Sequence, residues 1–385
     1  MPAQPLILTA GTAGVALGVT GVPWLAQGLL WAAWLGLWWT ERVVSLVATL
    51  PGASWVAPRF GLPALAAVYG ALALVAFRGE VTSRLPRLST WRTGFHLGPT
   101  RLTRTPALLV LGVLAGLSML AAAGLPDGKL HVVFLDVGQG DGILIQTPGG
   151  RQVLVDGGSS PSVLVNELGA VMPFWDRRLD VLALTHADAD HMDGQTELPR
   201  RMVAELALTT DATLASPDAE AWRAAMQTGD IPVTSLAAGA WIDLGDGVTL
   251  AVINPNPAGY VGPDPDNESS LVVRVEYGAF RALLTGDAGL PRESAWLAEG
   301  APLASTVLKV GHHGSKTATG PEFVAAVQPQ LAVIQVGANN RYGHPTAETL
   351  ANLAATTVLR TDLDGRVEVT TDGAQMWVRT AGPPD

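Results

Sequence analysis

Cysteine is absent from the 385 residues. Disulfides, Cys-based zinc sites and thiol catalysis are therefore excluded, and any metal must be held by His, Asp, Glu or Asn. Charge is also sparse, at 15% of residues, and residues 1–40 carry none. A soluble core helix rarely runs that far without a charge, which argues against an ordinary globular start. A secretory signal would be one short apolar segment behind a basic start. Residues 1–3 have no basic side chain and several apolar segments follow, so membrane spans are expected instead. Histidine is scarce, with seven in the whole chain, so a local concentration of it carries information.

The charges that are present divide the chain. Residues 1–129 contain nine basic and three acidic side chains, a net of +6. From totals of 24 and 34, that leaves 15 basic and 31 acidic beyond them, a net of −16. Two halves of opposite sign point to two surroundings. Apolar runs at 6–20, 24–39, 60–77 and 106–124 are expected to cross a lipid bilayer, within a helical region covering 1–125. Six of the 12 tryptophans precede residue 60, and Trp38 and Trp39 are expected to mark one interface. The loop 78–105 holds six arginines against Glu80 alone. By the positive-inside rule this loop is cytoplasmic, so the last span carries everything from Lys129 onward outside the cytoplasmic membrane.

Beyond that span the pattern changes to short strands and turns. Residues 130–134, 143–146 and 152–155 read as a meander punctuated by Gly138–Gly142 and Pro148-Gly149-Gly150. Further strands are expected at 181–185, 271–277, 282–284, 305–310, 331–336 and 367–370. Helices are expected at 162–171, 199–209, 292–298, 321–326 and 346–355. Gln152–Gly158 and Arg281–Ala288 echo one another, each a strand ending in Gly and Asp. Two such halves predict an α+β architecture in which a sheet-on-sheet core has helices outside, αββα, over 130–373, followed by a short tail at 374–385.

The chemistry concentrates at strand ends. His186, Asp188, Asp190 and His191 fall within six residues after an apolar strand. Such a cluster repels itself unless a cation is present; the alternative is a solvated turn in which Asp190 or Asp193 caps a helix. A second strand runs into Thr285-Gly286-Asp287, and a third, ending in Lys309-Val310, into Gly311-His312-His313-Gly314. Jointly they predict one or two divalent ions. His191, Asp190, Asp287 and His312 would hold one, His186, Asp188 and Asp287 the other, with Asp287 bridging. Asp136, Asp141 and Asp156 also end strands: Asp141 is a candidate to face the metals, Asp156 to brace loops. His344 lies in a Gly-Pro-framed loop and reads equally as a turn residue.

The 186–194 run, the Thr285–Asp287 turn and the histidine pair resemble the metallo-β-lactamase superfamily. More narrowly, Asp136-Val-Gly-Gln-Gly-Asp141, His186-x-Asp-x-Asp-His191, His312-His-Gly-Ser315 and Gly343-His-Pro345 resemble the C-terminal domain of the ComEC family, competence proteins that form the inner-membrane channel for DNA uptake. The resemblance covers 130–373, and Leu50-Pro51-Gly52-Ala53 extends it into the apolar half. Two departures from the superfamily pattern stand out. Asp188 occupies a position where histidine is usual, and no histidine falls between His191 and His312, where Asn267 is the candidate stand-in. Against the ComEC family the chain is short, and it reads as a fragment, a truncated frame or half of a split gene.

The resemblance implies a nuclease that degrades one strand of incoming DNA while the other enters the cell, with single-stranded DNA as its substrate, alongside other competence proteins or a separate chain supplying further spans. Asp190, His313, His344 and Lys309 are the expected catalytic groups, His344 donating a proton or binding phosphate, Lys309 and His313 binding phosphate. The oxygen of Asp188 favours Mn²⁺, with Zn²⁺ or Mg²⁺ as alternatives. The acidity of the second half opposes nucleic-acid binding. Two other readings therefore stand beside this one: a hydrolase of a small phosphodiester or lactone, and a transport or scaffold protein with a degenerate site.

Overall fold

The computed structural model describes residues 15, 25–34, 38, 126–173, 176–256 and 265–382. The chain divides into two units, Met1–Leu111 and Gly112–Asp385. In the first, residues 15, 25–34 and 38 are helical. The rest of the expected spans and the arginine loop 78–105 lie outside the described residues. Among the described residues no helix is long and apolar enough to cross a membrane.

Among the described residues the second unit contains fifteen strands. In order they are β1 (Leu130–Phe134), β2 (Ile143–Gln146), β3 (Gln152–Val155), β4 (Arg178–Ala183), β5 (Val203–Thr209), β6 (Val233–Ser235), β7 (Trp241–Gly245) and β8 (Val248–Asn254). There follow β9 (Val272–Tyr277), β10 (Phe280–Leu284), β11 (Val307–Lys309), β12 (Leu331–Ile334), β13 (Thr357–Arg360), β14 (Val367–Thr371) and β15 (Met376–Thr380). One sheet has the order β15-β14-β1-β2-β3-β4-β5-β6, the other β13-β12-β11-β10-β9-β8-β7. Both are mixed. The first is antiparallel from β15 to β3 and parallel from β3 to β6. The second is antiparallel from β7 to β10 and parallel from β10 to β13. The strands of the echo, β3 and β10, thus hold equivalent places: each is where its sheet changes from antiparallel to parallel.

Period-2 alternation builds the layers. Leu130, Val132 and Phe134 of β1 face a buried cluster shared with Val273, Val275, Ala282 and Leu284, so this cluster lies between the sheets. The alternate residues Val133 and Leu135 join Leu164, Leu168 and Trp222 under the helices Pro161–Val171 and Glu220–Thr228. On the far side Leu283 and Leu308 meet Trp296 and Phe323 of the helices Leu290–Glu299 and Pro321–Val327. The result is an α+β sandwich of two mixed sheets flanked by helices. Burying each such apolar side chain contributes about 1.5–3 kcal/mol, which makes the alternation decisive for register.

Residues 199–209 are not the helix expected. Asp193–Arg200 form a 3₁₀ helix and Val203–Thr209 form β5. The Ala, Glu and Leu of this segment favour a helix locally, but parallel pairing with β4 buries Ala207, Leu208 and Thr209. Tertiary burial overrides a propensity difference of a few tenths of a kcal/mol per residue.

Candidate metal centre

The parallel strands of both sheets end on one side of the sandwich, and the loops after them carry the site. Asp156 follows β3, His186 and Asp188 follow β4, and Asp190 and His191 lie on the one-turn helix Ala189–Met192. Asp287 follows β10, and His312 and His313 follow β11 on the turn Gly311–Gly314. His312 and His313 have φ of 46° and 53°, and Asp156 has φ of 56°. A non-glycine residue in the left-handed region costs about 1–3 kcal/mol and persists where its surroundings hold it.

Three imidazoles are fixed by oxygens at Nδ1. His191 Nδ1 lies 2.8 Å from Asp156 Oδ2, and His313 Nδ1 lies 2.9 Å from the Gln335 carbonyl. Asp156 also accepts from Thr185 Oγ1, at 2.7 Å, and from the Thr185 amide, at 2.8 Å. With its proton given to Asp156, Thr185 Oγ1 accepts from His186 Nδ1 at 3.0 Å. Each ring nitrogen bonded this way is a donor, which leaves Nε2 of His186, His191 and His313 as lone pairs.

Those lone pairs converge. His191 Nε2 is 3.2 Å from His313 Nε2, and both are 3.4 Å from Asp287 Oδ2. Asp190 Oδ2 is 3.3 Å from His313 Nε2. His186 Nε2 is buried with no hydrogen-bond partner, as is Asp287 Oδ1. His186, His191 and Asp287 form one group able to hold an ion, and Asp190, His191 and His313 another, with donor atoms within 4.8 Å of one another. Lone pairs and a carboxylate facing one another in a buried space call for positive charge between them, which a metal cation supplies. The chemistry of this donor set therefore fits one or two divalent ions. Without an ion, protons serve that purpose. Burial opposes charging His191, yet the carboxylates of Asp287, Asp156 and Asp141 hold its pKa well above the usual histidine value. Burial likewise opposes charging His313, and Asp287, Asp141 and Asp190 outweigh it. Asp190 is held far below the ordinary carboxylate range, burial being outweighed by His313 and His191.

The other expected site residues take places around this centre. His312 stands outside both groups, part-exposed, with Nε2 3.7 Å from Asp287 Oδ2 and Nδ1 3.3 Å from Thr317 Oγ1. The inner place on that turn belongs to His313. Asp188 is also outside both groups, its Oδ2 3.5 Å from His186 Nε2. Asp141 is buried, in contact with the Lys309 ammonium and 3.4 Å from His313 Nδ1. Lys309 is fully buried beneath the centre, donating to the Gly286 carbonyl at 3.0 Å and lying 3.5 Å from Asp287 Oδ1. Burial opposes its charge, but Asp141 and Asp287 raise its pKa. It has no solvent-facing surface with which to meet a substrate.

Asp136 accepts from the Gly138 amide and is absent from the metal-capable groups. Asn267 lies on the short helix Pro265–Glu268, where its carbonyl accepts from Ser270 Oγ at 2.7 Å. His344 stacks on Tyr342 and meets His312 edge-on, with ring centroids 5.8 and 5.9 Å apart. Sequence reasoning had no place for Gln335. Its part is played by a backbone carbonyl, for which no side-chain signal exists.

Residues 135–337 match the family model described as the metallo-beta-lactamase superfamily, over more than half of the chain. The chain belongs to that superfamily. Its metallo-beta-lactamase domain is also homologous to bacterial competence proteins. It is 34% identical over 260 residues to the ComE operon protein 3 of Bacillus subtilis (strain 168), covering 62% of this chain and 32% of that protein. It is 29% identical over 259 residues to the competence protein ComA of Neisseria gonorrhoeae, covering 66% and 34%. The chain thus spans about a third of the length of the curated relatives it matches. Among solved structures, the metallo-beta-lactamase fold protein YhfI from Bacillus subtilis aligns at 12% identity with a TM-score of 0.43, over 65% of this chain and 100% of that one.

Proposed function

We propose that this chain is a membrane-tethered, metal-dependent phosphodiesterase that cleaves single-stranded DNA, degrading the strand that is not taken up. The observation that carries the reaction class is the meeting of three imidazole lone pairs and Asp287 in a buried centre. His186, His191 and Asp287 would hold one divalent ion; because the single Nε2 lone pair of His191 serves only one, a second would be held by Asp190 and His313 with Asp287 shared between the two. An ion there supplies Lewis-acid polarisation of a phosphoryl oxygen and makes water at the site more acidic.

The chain's own residues supply orientation and proton handling. Asp190 is the one part-exposed carboxylate of the two groups and would orient water entering the site by accepting its hydrogen bond. Burial, with His312 and His313 nearby, holds the His344 pKa below the usual value, so at neutral pH it is an uncharged ring. That suits hydrogen bonding to a phosphate oxygen better than acid catalysis. Lys309 keeps Asp141 and Asp287 charged and in place from below.

DNA as the substrate is supported by the competence relatives. Tethering is supported by the charge-free residues 1–40 and by the exposed Trp31 and Trp34 on the helical stretch 25–34. In this reading the hydrolase domain faces outward, beside other competence proteins or a chain that supplies further spans. The acidic domain predicts weak DNA binding and activity that falls steeply with salt.

The test is hydrolysis by the metal-stripped full-length chain in detergent, reloaded with Mn²⁺, Mg²⁺ or Zn²⁺. Cleavage of single-stranded DNA is expected, strongest with Mn²⁺, and Asp188→His should move the preference toward Zn²⁺. Cleavage of a small chromogenic phosphodiester but not of DNA would replace this reading with the small-substrate one. Failure to bind metal or hydrolyse either would leave the transport or scaffold role.

A further inference from the structure

A line of rings leads outward from the metal centre. From the buried His313 the centroids step 6.2 Å to His312, 5.9 Å to His344 and 5.8 Å to Tyr342. The line ends at the surface, where Tyr342 is 53% exposed. The Arg341 guanidinium lies over the tyrosine ring, 5.1 Å from its centroid, and donates to its hydroxyl at 3.0 Å.

This loop is held rigidly. Asn340 Oδ1 accepts from the amides of Tyr342 and His344, at 3.2 and 3.0 Å. Asn340 Nδ2 donates to the carbonyls of His344 and Gly337, at 2.7 and 3.1 Å. The Gly337 amide donates to Gln139 Oε1, and the Thr346 amide to the Gly314 carbonyl, so the loop is anchored at both ends. An exposed tyrosine on a mobile loop needs no explanation. Here the backbone that carries the ring is tied down beside the candidate metal centre. Charge adds an independent sign. In a half with 15 basic against 31 acidic residues, exposed Arg341 and exposed Lys316 both lie on loops that frame His312, Lys316 preceding its contact Thr317.

We propose that Arg341 and Tyr342 form a stacking shelf for a nucleobase adjoining the phosphate at the metal centre, which makes the site selective for single-stranded nucleic acid. Aromatic rings and guanidinium planes are the surfaces on which unpaired bases stack, whatever their identity. In a duplex the bases are already stacked and have no free face to offer. A small phosphodiester has no base to place there. The inference rests on the phosphodiesterase reading above.

Two measurements separate the shelf from that reading. The first is fluorescence anisotropy of labelled oligo-dT and oligo-U with the full-length chain, in chelator so that no cleavage occurs. Tyr342→Ala should weaken binding by about 5- to 150-fold, the range for loss of one base stack. Tyr342→Phe should restore it, and a duplex of the same length should bind equally to all three. The second is kcat/KM on single-stranded DNA relative to a small chromogenic phosphodiester, which should fall at least about 5-fold in Tyr342→Ala, mainly through KM. Unchanged oligonucleotide binding in Tyr342→Ala overturns the shelf even if DNA is cleaved. Weakened binding of single strands upholds it even if the wild type cleaves nothing, in which case only the phosphodiesterase reading is lost.

Discussion

His186, His191 and His313 each commit Nδ1 to an oxygen, and that commitment decides what the opposite nitrogen does. For His191 the oxygen belongs to Asp156, which also takes two bonds from Thr185 and so fixes two histidines at once. Asp156→Asn keeps the shape but weakens that hold, and its amide can turn a donor toward Nδ1. Metal affinity should fall about 10- to 100-fold, the usual effect of altering a residue that orients a ligand. Asp287→Ala should remove more metal than any other single change, because Asp287 faces both His191 and His313. Metal content after dialysis against graded chelator reads both. Full metal in Asp287→Ala would refute its bridging place. Lys309 shows how far burial changes a reading. Next to a histidine turn in the sequence it resembles a phosphate binder, but its ammonium is enclosed by Asp141, Asp287 and the Gly286 carbonyl.

At the scale of elements, the loops are positioned by contacts that a side chain would forbid. A Cβ on Gly140 would lie 1.8 Å from the Asp190 carbonyl oxygen. Only glycine lets the β1–β2 loop lie against the helix Ala189–Met192, where the Asp141 amide donates to that carbonyl at 3.2 Å. Behind the site, Glu293 of the helix Leu290–Glu299 accepts from the amides of Thr319 and Gly320, at 2.5 and 2.8 Å. Burial, with Glu268 nearby, raises its pKa to about 7 despite these bonds. A raised carboxyl pKa makes its contribution to stability fully present below the unfolded value, near 4.5. The contribution is lost as pH rises toward 7, by about 3 kcal/mol in all. In chelator, the fall in Tm between pH 5 and pH 8 should therefore be shallower in Glu293→Gln than in the wild type, whatever the variant's absolute stability. Parallel slopes would show that Glu293 does not titrate in this window.

At the scale of the whole molecule, the division of charge sets an expectation about sides. The six arginines of loop 78–105 set the expectation that this loop is cytoplasmic and that the residues after the last expected span lie outside. Reporter fusions active only outside the cytoplasm should work when joined after Lys129 and stay silent when joined at Arg92. The reverse pattern would overturn both the topology and the proposed place of the hydrolase in uptake. The same scale explains why the site is built as it is. Asp190 and His191 follow strands of one sheet, Asp287 and His313 strands of the other, so the residues that would hold an ion come from both halves of the sandwich.

Much of this was readable from the chain alone, because local signals carry it. Alternation marked β1, β2 and β3, glycine-rich turns marked their ends, and the scarcity of histidine made the clusters after β4 and β11 conspicuous. The echo of Gln152–Gly158 in Arg281–Ala288 predicted two similar halves, while the change of direction at those two strands appeared only in the sheets themselves. What depended on burial was not readable. Residues 199–209 carry helix-favouring side chains, and only their place beside β4 makes part of them a strand. His312 and His313 are adjacent and chemically alike, and the sequence by itself favoured the first as ligand. Two successive left-handed residues turn the second inward, where the Gln335 carbonyl fixes its ring. The sequence determined which residue types could hold an ion and on which strands they ride. Tertiary structure alone decided which nitrogen faces the centre, because that depends on oxygens brought from elsewhere in the chain.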